Sequence, residues 1–431
     1  MADSSRHIVA LELAHALLGG PWRYAACRER AIGVLAANPT WLRPVLVATL
    51  RHFRHQSPRG EPSVLAAYLR SLPSFARPGP LRHPWLESLE LSSPTGPWQG
   101  APIPQLATVG DVSSWLGVPA ERLPFYAEPW RHRRAQDTAL APYRYRWVPK
   151  RHGRARLLEI PRPRLRAMQR RILDELLRWM PVHEACHGFV GGRGVKSFAA
   201  QHARREVVLA LDLQDFFVSV PRGRVFRVFR ALGYPEQVSR ILAGLCTTRP
   251  PRSVLGDAPA PWSSRLDGPH LPQGAPTSPA LANLCAFRFD VRVAALARSA
   301  GVTYTRYADD LAFSGDAQFG RSSRRFTAAV ASIGFEEGFA LNHRKSRQMR
   351  ACAQQRLAGV VVNAEPRVSR AERERLEAIL FNCVKHGPTS QNRDARPNWR
   401  EHLLGRIAWV EHLRPADGKR LRELYTQIAW G

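Results

Sequence analysis

The chain has 431 residues, with 64 Lys or Arg against 35 Asp or Glu, so its formal net charge is +29. This length suits two or three domains. The charge favours a polyanionic partner, nucleic acid before membrane, although an arginine bias also follows from a GC-rich genome. No apolar run reaches the roughly 18 residues of a membrane span and no signal peptide is visible, so we expect a cytoplasmic protein that contacts no membrane. The six cysteines are scattered, which excludes zinc-type pairs and suits a reducing compartment.

Residues 1–130 contain no catalytic grouping. Apolar residues at helical spacing predict a helical N-terminal extension over residues 1–56, with Thr40 as the cap of one of its helices. A stretch rich in Pro, Gly and Ser predicts a linker over residues 57–104, and a short helical unit follows at residues 105–127. We expect residues 4–55 to act as a scaffold or to dock a partner.

Basic and aromatic side chains are interleaved from residue 131 onwards. The basic side chains of the second such stretch are Arg144, Arg146, Lys150 and Arg151. This mixture suits contacts with phosphates combined with stacking on bases, and an ordinary charged surface is the alternative. Residues 154–161 then alternate like a strand, and residues 165–179 predict one helix with an apolar stripe from Met168 to Trp179.

Three acidic residues are associated with predicted strands. An apolar strand over residues 206–212 delivers Asp212 at its end, where a lone acid usually serves as a cap. Asp309 and Asp310 are predicted in a tight turn between two strands rich in β-branched and aromatic residues. Paired acids in a turn ordinarily mean a solvated loop. Here the apolar flanks hold both at the edge of a packed core, where uncompensated anions are costly.

Together these three carboxylates provide enough ligands for two magnesium ions. Mg2+ is a hard cation that prefers oxygen ligands and leaves positions open for substrate phosphates. Two such ions clamp the attacking and leaving oxygens of an in-line phosphoryl transfer. The sequence therefore predicts a two-magnesium site at Asp212, Asp309 and Asp310.

Further helices are predicted on both sides of the acidic turn. Residues 222–246 predict one helical segment, and Thr277 or Ser278 is expected to cap a helix that continues through Val291. Towards the C-terminus, Ser369–Glu372 predicts a capping box that opens another helix, and two more helices close the chain.

Taken in order, these segments resemble the motifs of a bacterial reverse transcriptase, most closely of the retron type, over about residues 140–431. The matching stretches are residues 153–161, 165–170, 211–217, 271–283, 307–310 and 341–346. Each match taken alone is short enough to arise by chance, whereas the whole series in order is a strong signal.

The resemblance implies an α+β fold organised as a right-hand polymerase. Its parts would be fingers, a palm with an antiparallel sheet and a helical thumb, preceded by the helical N-terminal extension. The implied bounds are residues 105–200 for the short helical unit and basic fingers, 201–355 for the palm, and 356–431 for the thumb.

The resemblance also implies what single residues do. The two magnesium ions would be bound by Asp212, Asp309 and Asp310. The incoming nucleotide would be contacted by Arg156, Asp215, Phe216, Phe217 and Gln273. Arg156 would meet the triphosphate, and Phe217 would lie under the sugar and exclude a 2′-hydroxyl. A core Phe behind a strand is the alternative interpretation of Phe217.

Further implied contacts involve the primer and the nucleic acid. Tyr307 would support the primer terminus. Lys345 would either protonate the leaving pyrophosphate or contact a backbone phosphate. Other contacts with nucleic acid would come from Arg144, Arg146, Lys150, Arg151 and Gly359.

Two elements depart from the retron pattern. Retrons commonly carry Asn-Ala-x-x-His before the Leu-Pro-Gln-Gly motif, whereas this chain has Leu266-Asp267-Gly-Pro-His270. Their Val-Thr-Gly signature reads Leu357-Ala358-Gly359 here. In the family these elements are linked to recognition of the cognate structured RNA. The resemblance therefore supports polymerisation more directly than priming from a 2′-hydroxyl of that RNA.

The leading hypothesis is an RNA-directed DNA polymerase that copies a structured noncoding RNA into short, RNA-linked single-stranded DNA (msDNA) in antiphage defence. Its partners would be the RNA template, the DNA product, dNTPs and an effector protein. One alternative is a defence-associated or diversity-generating reverse transcriptase that uses no retron RNA. Another is a non-catalytic RNA-binding scaffold, which would bind RNA without metal and incorporate no nucleotide.

Overall fold

A computed structural model describes residues 9–54 and 62–75, with interruptions at 11–12, 15, 19–20 and 36–37, and residues 102–131, 141–148, 155–256 and 266–430. The chain divides into two compact units, residues 1–92 and 93–431. Each unit has buried apolar clusters of its own. No helix within these described ranges is long and apolar enough to cross a membrane.

The first unit is helical where it is described, as predicted. Its helices include α1 (Tyr24–Leu35), α2 (Leu42–His52) and α3 (Pro62–Ser71). Leu46, Leu65 and Phe75 are almost fully buried in the core that these helices share. Burial of apolar side chains from every helix is what stabilises this unit.

Two predictions for the first unit are wrong. The N-cap position of α2 is Trp41, which makes no side-chain capping bond, so Thr40 lies one residue too early to cap the helix. Part of the predicted linker is α3. Pro62 suits a first helical turn, and Leu65 and Leu69 lie four residues apart on its buried face. The linker residues 76–101 lie outside the described part of the chain.

The second unit opens with short helices, a two-stranded antiparallel hairpin and a longer helix. These are α4 (Val109–Leu116), α5 (Leu123–Ala127), β1 (Tyr143–Val148), β2 (Arg156–Pro161) and α6 (Pro163–Glu175). The helix predicted over residues 165–179 is shorter than expected, because Leu176 leaves the helical conformation with φ −123°. Trp179 follows in a 3-10 turn and is 54% exposed, so it does not extend the apolar stripe.

A four-stranded antiparallel sheet forms the centre of the second unit. Its strands are β3 (Val207–Asp212), β4 (Thr303–Tyr307), β5 (Asp310–Gly315) and β6 (Arg347–Arg350). They lie in the order β4–β5–β3–β6. Nearly all residues of β3 and β5 are buried, because these two strands occupy the middle of the sheet and helices pack against it.

The helices described between residues 195 and 336 are α7 (Val195–Ala200), α8 (Arg222–Ala231), α9 (Glu236–Leu245), α10 (Arg252–Leu255), α11 (Ser278–Cys285), α12 (Phe287–Ser299) and α13 (Ala317–Glu336). Of these, α7, α12 and α13 contact strands of the sheet. The single helical segment predicted over residues 222–246 is two helices. Gly233, with φ +89°, and Pro235 separate α8 from α9, because neither residue suits a helix interior.

The start of α11 also differs from its prediction. Thr277 occupies the N-cap position, but its side chain makes no capping bond, and the Ser278 hydroxyl donates to the carbonyl of Pro272 at 2.7 Å instead. The helix that was expected to continue through Val291 is interrupted at Ala286, where α11 ends and α12 begins.

The C-terminal segment is a short hairpin followed by helices. Its elements are β7 (Arg356–Leu357), β8 (Val360–Val361), α14 (Arg370–His386), α15 (Trp399–Leu413) and α16 (Pro415–Thr426). The predicted capping box is confirmed, since Ser369 accepts the backbone N–H of Glu372 and the Glu372 side chain accepts from Ser369. Leu380, Leu403 and Leu421 form the core of the last helices. The fold class is α+β with antiparallel sheets, as predicted.

Candidate active site

The pairing of β3 with β5 brings two of the predicted acids side by side. Asp212, the last residue of β3, is the register partner of Asp310, the first residue of β5. Asp309 precedes it in the turn, and its carbonyl accepts the N–H of Leu213 at 2.8 Å. Since directly opposed Cβ atoms lie about 5 Å apart, the three carboxylates are gathered at one end of these strands. Of the two neighbouring acids, Asp309 lies in the turn and Asp310 already belongs to β5. The prediction that both acids occupy the turn is therefore wrong for Asp310.

The turn itself is held in an uncommon backbone conformation. Ala308 has φ +57°, in the left-handed region that costs a residue with a Cβ roughly 1–2 kcal/mol. Nη1 of Arg306 donates to the carbonyl of Ala308 at 3.0 Å. Gly188 approaches from another side, where an added Cβ would lie 2.5 Å from the Ala308 nitrogen. Both neighbours fix the position of the acids that follow.

Arg306 is itself fixed by a fully buried ion pair. Its Nε and Nη2 donate to the two carboxylate oxygens of Asp290 at 2.7 and 2.6 Å, and both side chains are 0% exposed. Tyr304 donates to the same carboxylate at 2.8 Å, and Asn283 accepts from Nη1 of Arg306 at 2.9 Å. Asn283 in turn donates to the carbonyl of Gly188 at 2.8 Å. This network links α11, α12 and β4 beneath the turn.

The carboxylates above the turn carry an excess of negative charge. Burial and the charges of Asp309 and Asp212 raise the pKa of Asp310 from 3.8 to about 7. Burial and the charge of Asp212 likewise raise the pKa of Asp309, although Lys345 and Arg156 oppose this shift. Repulsion among these acids therefore disfavours their ionised forms.

Lys345 is the cation closest to this group among the described residues. Its Nζ lies 2.7 Å from Oδ2 of Asp212, and its side chain is 59% exposed. Burial lowers the pKa of Lys345, but the bond to Asp212 and the charges of Asp309 and Asp310 outweigh this effect and raise it. The ammonium is thus held protonated at the edge of the acidic group.

These acids fit a divalent cation by their chemistry. No three acidic, histidine or cysteine side chains among the described residues form a finished metal site, and one oxygen of Asp212 is bonded to Lys345. Three carboxylates nevertheless share one nearby lysine, and two of them have raised pKa values. Carboxylate oxygens are the ligands that Mg2+ prefers, and its charge would relieve their repulsion.

The β1–β2 hairpin presents basic side chains on one of its faces. Arg144 and Arg146 alternate along β1 and are exposed, and the register pairs Val148 with Arg156 of β2. Because side chains alternate between the faces of a strand, Arg156 lies on the same face as Arg144 and Arg146. The positive charge of Arg156 acts on Asp309 and partly offsets the rise in the pKa of that carboxyl. Lys150 and Arg151 lie outside the described residues.

The two phenylalanines after Asp212 have different environments. Phe216 is 3% exposed, with its ring 5.7 Å from that of Phe339, so its side chain belongs to the core. Phe217 is only partly buried, and its ring lies 6.4 Å from that of Phe189, which is 53% exposed. Asp215 precedes them with φ +53°, a conformation that Asp tolerates better than most residues. Phe217 therefore borders solvent, while Phe216 does not.

Phe189 also links Phe217 to the predicted primer contact. Its ring lies 6.3 Å from that of Tyr307, the residue paired with Asp310 at the end of β4. Phe189, Phe217 and Tyr307 thus form an aromatic group beside the acids.

Gln273 lies on a loop that is attached to β2. Its carbonyl accepts the N–H of Glu159 at 2.9 Å, and its own N–H donates to the Glu159 carboxylate at 3.2 Å. The side-chain Oε1 of Gln273 is buried without a hydrogen-bond partner among the described residues. Buried polar atoms are normally bonded, so this oxygen is an exception among the polar groups of the loop.

Gly359 lies apart from the acids in sequence and in secondary structure. Ala358 and Gly359 have φ +44° and +86° and form the tight turn between β7 and β8, as a type I′ turn requires. Gly359 also borders a cavity of about 460 Å³ between α14 and α15, where Arg406 and Trp409 are among the lining residues.

Sequence reasoning missed the residues that support the site. Arg306 is the one charged residue of strand β4, and a charge in a buried strand needs a partner, whereas the helix of Asp290 also carries arginines and gives a weaker signal. That rule signals each residue, but it does not identify the partner. Phe189 in a Gly-rich stretch carried no comparable signal.

Comparisons with known proteins agree with this geometry. The family pattern described as "Reverse transcriptase (RNA-dependent DNA polymerase)" matches residues 148–374. The Retron Mx65 reverse transcriptase of Myxococcus xanthus is 42% identical over 325 residues, which covers 74% of this chain and 71% of that protein. The Retron Mx162 reverse transcriptase of the same organism is 34% identical, over 76% of this chain and 68% of that protein.

A more distant relative covers a larger share of its own length. The Retron Ec86 reverse transcriptase of Escherichia coli is 29% identical, over 76% of this chain and 90% of that protein. The family match, the two relatives above 30% identity and the paired acids on β3 and β5 lead to one assignment. The chain belongs to the retron-type reverse transcriptases and is an RNA-directed DNA polymerase.

Proposed function

We propose that Asp212, Asp309 and Asp310 are the catalytic carboxylates of this polymerase and hold two Mg2+ ions. Reverse transcriptases generally use divalent metal ions. The observation that carries the proposal is the excess of three acids over one nearby lysine at the ends of β3 and β5, with the pKa of Asp310 raised to about 7. Bound ions would lower the pKa of the primer hydroxyl and neutralise the charge that develops on the phosphate.

Lys345 has two possible tasks that follow from its position. It neutralises Asp212 at 2.7 Å, and its exposed side chain is free to turn towards a phosphate. We propose that it either donates a proton to the leaving pyrophosphate or contacts a backbone phosphate. The raised pKa of Lys345 keeps a proton available for the first task and a positive charge for the second.

The incoming dNTP would lie between the hairpin and the acids. Arg156 would meet the triphosphate, since its charge already reaches Asp309. Gln273 would contact the nucleotide from a loop that is bonded to Glu159 of β2, the strand that also carries Arg156. Phe217, which borders solvent, would lie under the sugar, and Asp215 would shape the loop before it. Phe216 is left out of this site because its side chain is in the core.

RNA and primer would lie along the basic and aromatic surfaces. Arg144 and Arg146 are exposed on the hairpin face that also carries Arg156, which suits contact with phosphates. Tyr307 would support the primer terminus beside Asp310. Gly359 would approach nucleic acid at the β7–β8 turn. Lys150 and Arg151 stay predictions for the same surface.

We also propose a right-hand layout for the second part of the chain. Residues 105–200, with the β1–β2 hairpin, would form the fingers. Residues 201–355, with the sheet that carries the acids, would form the palm, and residues 356–431 would form the thumb.

We further propose that the template is a structured noncoding RNA and that the product is short, RNA-linked single-stranded DNA made in the cytoplasm. The support is that the relatives are named retron reverse transcriptases and that the net charge is +29. Antiphage defence with an effector protein is the role that would fit such a product. Sequencing nucleic acid that copurifies with the protein tests this, because DNA joined covalently to RNA is expected and unlinked cellular RNA alone would contradict it.

The catalytic proposal is tested by primer extension on an RNA template with Mg2+. Asp309→Asn should abolish extension, lowering the rate by about a thousandfold or more, because the metal ligand and its charge are removed. Asp394→Asn is the matched control, since the Asp394 side chain is 74% exposed and pairs with Arg396 at 3.4 Å. Full activity of Asp309→Asn would refute the assignment.

A further inference from the structure

A buried acid and a buried histidine meet beside the loop that carries Gln273. Glu159 of β2 is 0% exposed and His270 is 2% exposed. Nε2 of His270 lies 3.1 and 3.2 Å from the two carboxylate oxygens of Glu159, and its Nδ1 lies 2.7 Å from the carbonyl of Gly268. Acceptors therefore face both ring nitrogens, which is the environment of a protonated imidazole.

The charge of this histidine is consistent with that environment. Burial lowers the pKa of His270, but Glu159 and the carbonyl of Gly268 outweigh burial and raise it. The backbone of His270 is also fixed, because its N–H and carbonyl are both bonded to Thr248, at 3.0 and 2.9 Å. His270 is thus held by its ring and by its main chain.

Glu159 connects this histidine to the nucleotide loop. The backbone of Gln273 makes two hydrogen bonds with Glu159, one to its N–H at 2.9 Å and one to its carboxylate at 3.2 Å. These two bonds leave little freedom for the loop to shift along β2. Gly274 follows with φ +140°, and an added Cβ there would lie 2.9 Å from the carbonyl oxygen of Glu159. Arg156 lies three residues before Glu159 in the same strand, β2. One acid therefore sets the spacing between the two groups proposed to hold the dNTP.

We infer that Glu159 and His270 are positioning residues for nucleotide binding, acting through the loop of Gln273. This inference rests on the proposed role of Gln273. His270 occupies the element that, in retrons, is linked to recognition of the cognate RNA. Here its side chain is buried and fully engaged, so it contributes to the dNTP site and not to an RNA-contacting surface.

Steady-state kinetics on an RNA template annealed to a DNA primer separate these roles. Glu159→Gln and His270→Gln should each raise the KM for dNTPs by about tenfold, because a buried charge-assisted contact is lost. The kcat should change far less, by about threefold at most, if ground-state and transition-state binding weaken together. Affinity for RNA extracted from the purified wild-type protein should stay within about twofold.

A double-mutant cycle identifies the route of the effect. Gln273→Ala alone should raise the KM for dNTPs, and combining it with His270→Gln should add little, because both changes remove one interaction. Full additivity would overturn the inference. If Gln273→Ala left the KM unchanged, the proposed role of Gln273 would fail instead, which is a separate result.

Two further variants guard against simple loss of folding. The double variant Glu159→Gln with His270→Gln removes both charges, so that no buried charge is left unpaired. It should therefore be less destabilising than either single change. The double variant should still show the raised KM. His202→Gln is the matched control, because His202 is a buried histidine bonded to Ser314 and Thr305 within the sheet. It should lower stability without a selective rise in KM. A loss of RNA affinity in His270→Gln with an unchanged KM would contradict the inference and favour RNA recognition.

Discussion

Two groups of charged side chains lie next to the β4–β5 turn, and they are balanced differently. Beneath the turn, Arg306 and Asp290 neutralise each other through paired hydrogen bonds and are fully buried. Above it, three carboxylates share Lys345, and the pKa of Asp310 rises to about 7. A balanced pair has nothing left to bind and serves to hold the turn. An unbalanced group stores unfavourable charge that a cation or a substrate relieves, so function is expected there.

The largest combined effect on stability and activity should come from breaking the ion pair of Arg306 and Asp290. Arg306→Met should lower the free energy of unfolding by about 3–5 kcal/mol, because it leaves Asp290 charged and buried. It should also reduce extension by about a hundredfold, since a displacement of roughly 1 Å at the turn misplaces Asp309. Chemical denaturation and primer extension measure the two effects.

The matched control for this prediction is Arg292→Met. Arg292 pairs with Glu336 and Glu337 nearer the surface, and its side chain is 32% exposed, so about 1 kcal/mol or less is expected. Equal losses in the two variants would mean that burial of the Arg306 pair has no special consequence.

Phe216 and Phe217 offer a second comparison, between a core side chain and one that borders solvent. Phe216→Ala should destabilise the fold by about 3–5 kcal/mol, as expected for a buried ring. Phe217→Val should leave stability nearly unchanged and raise incorporation of ribonucleotides about 10-fold to 100-fold, because space for the 2′-hydroxyl opens. Competition between dNTPs and rNTPs checks this, and unchanged discrimination would make Phe217 a structural residue.

The acidic group should reveal its charge through pH. Below 3.8, Asp310 is protonated in folded and unfolded chains alike, and its contribution to stability is fully present. As the pH rises through about 7, the folded chain must ionise it beside two other acids, so that stability is lost. Without divalent cations, Asp310→Asn should therefore raise the Tm at pH 8 by about 2–4 °C, with the difference fading towards pH 4.

Adding Mg2+ sharpens this experiment. At pH 8 it should stabilise the wild-type chain more than Asp310→Asn, because the ion relieves the same repulsion. A Tm difference that is independent of both pH and Mg2+ would contradict the account of the acidic group.

The smallest effect is expected at the hairpin. Arg144→Gln combined with Arg146→Gln should weaken RNA binding uniformly across sequences and reduce the salt slope of binding by about 1 per arginine. Arg240→Gln is the control, since Arg240 pairs with Glu236 on an exposed helix surface. An unchanged slope in the double variant would remove these two arginines from the nucleic-acid interface.

The sequence predicted the parts of this site whose chemistry is local. Asp212, Asp309 and Asp310 were identifiable because they follow or join strands with an evident pattern, and the ordered motifs resembled one family. Register then corrected Asp310 from the turn into β5, since a one-residue boundary is not determined by pattern. Segments such as α8 and α9 were joined in the prediction because a glycine break resembles a tolerated helix residue.

The supporting contacts were not predictable in the same way. Arg306 and Asp290 are 16 residues apart, and Glu159 and His270 are 111 residues apart. Such pairs form only when the fold brings separate elements together, so single-sequence patterns can indicate each charge but not its partner. The structure identifies the partner of each charge. It thereby separates residues that support the turn, such as Arg306 and Asp290, from the acids at the site itself.

The central claim is that the unbalanced acids hold divalent cations, and a direct count of bound ions tests it. Electron paramagnetic resonance can measure the Mn2+ bound at pH 8 by the protein with an RNA template, a chain-terminated DNA primer and the next dNTP. We predict about two ions per chain for the wild type and for Asp394→Asn, with a clear loss for Asp309→Asn and Asp310→Asn. An unchanged Mn2+ count in the Asp309→Asn variant would contradict the account.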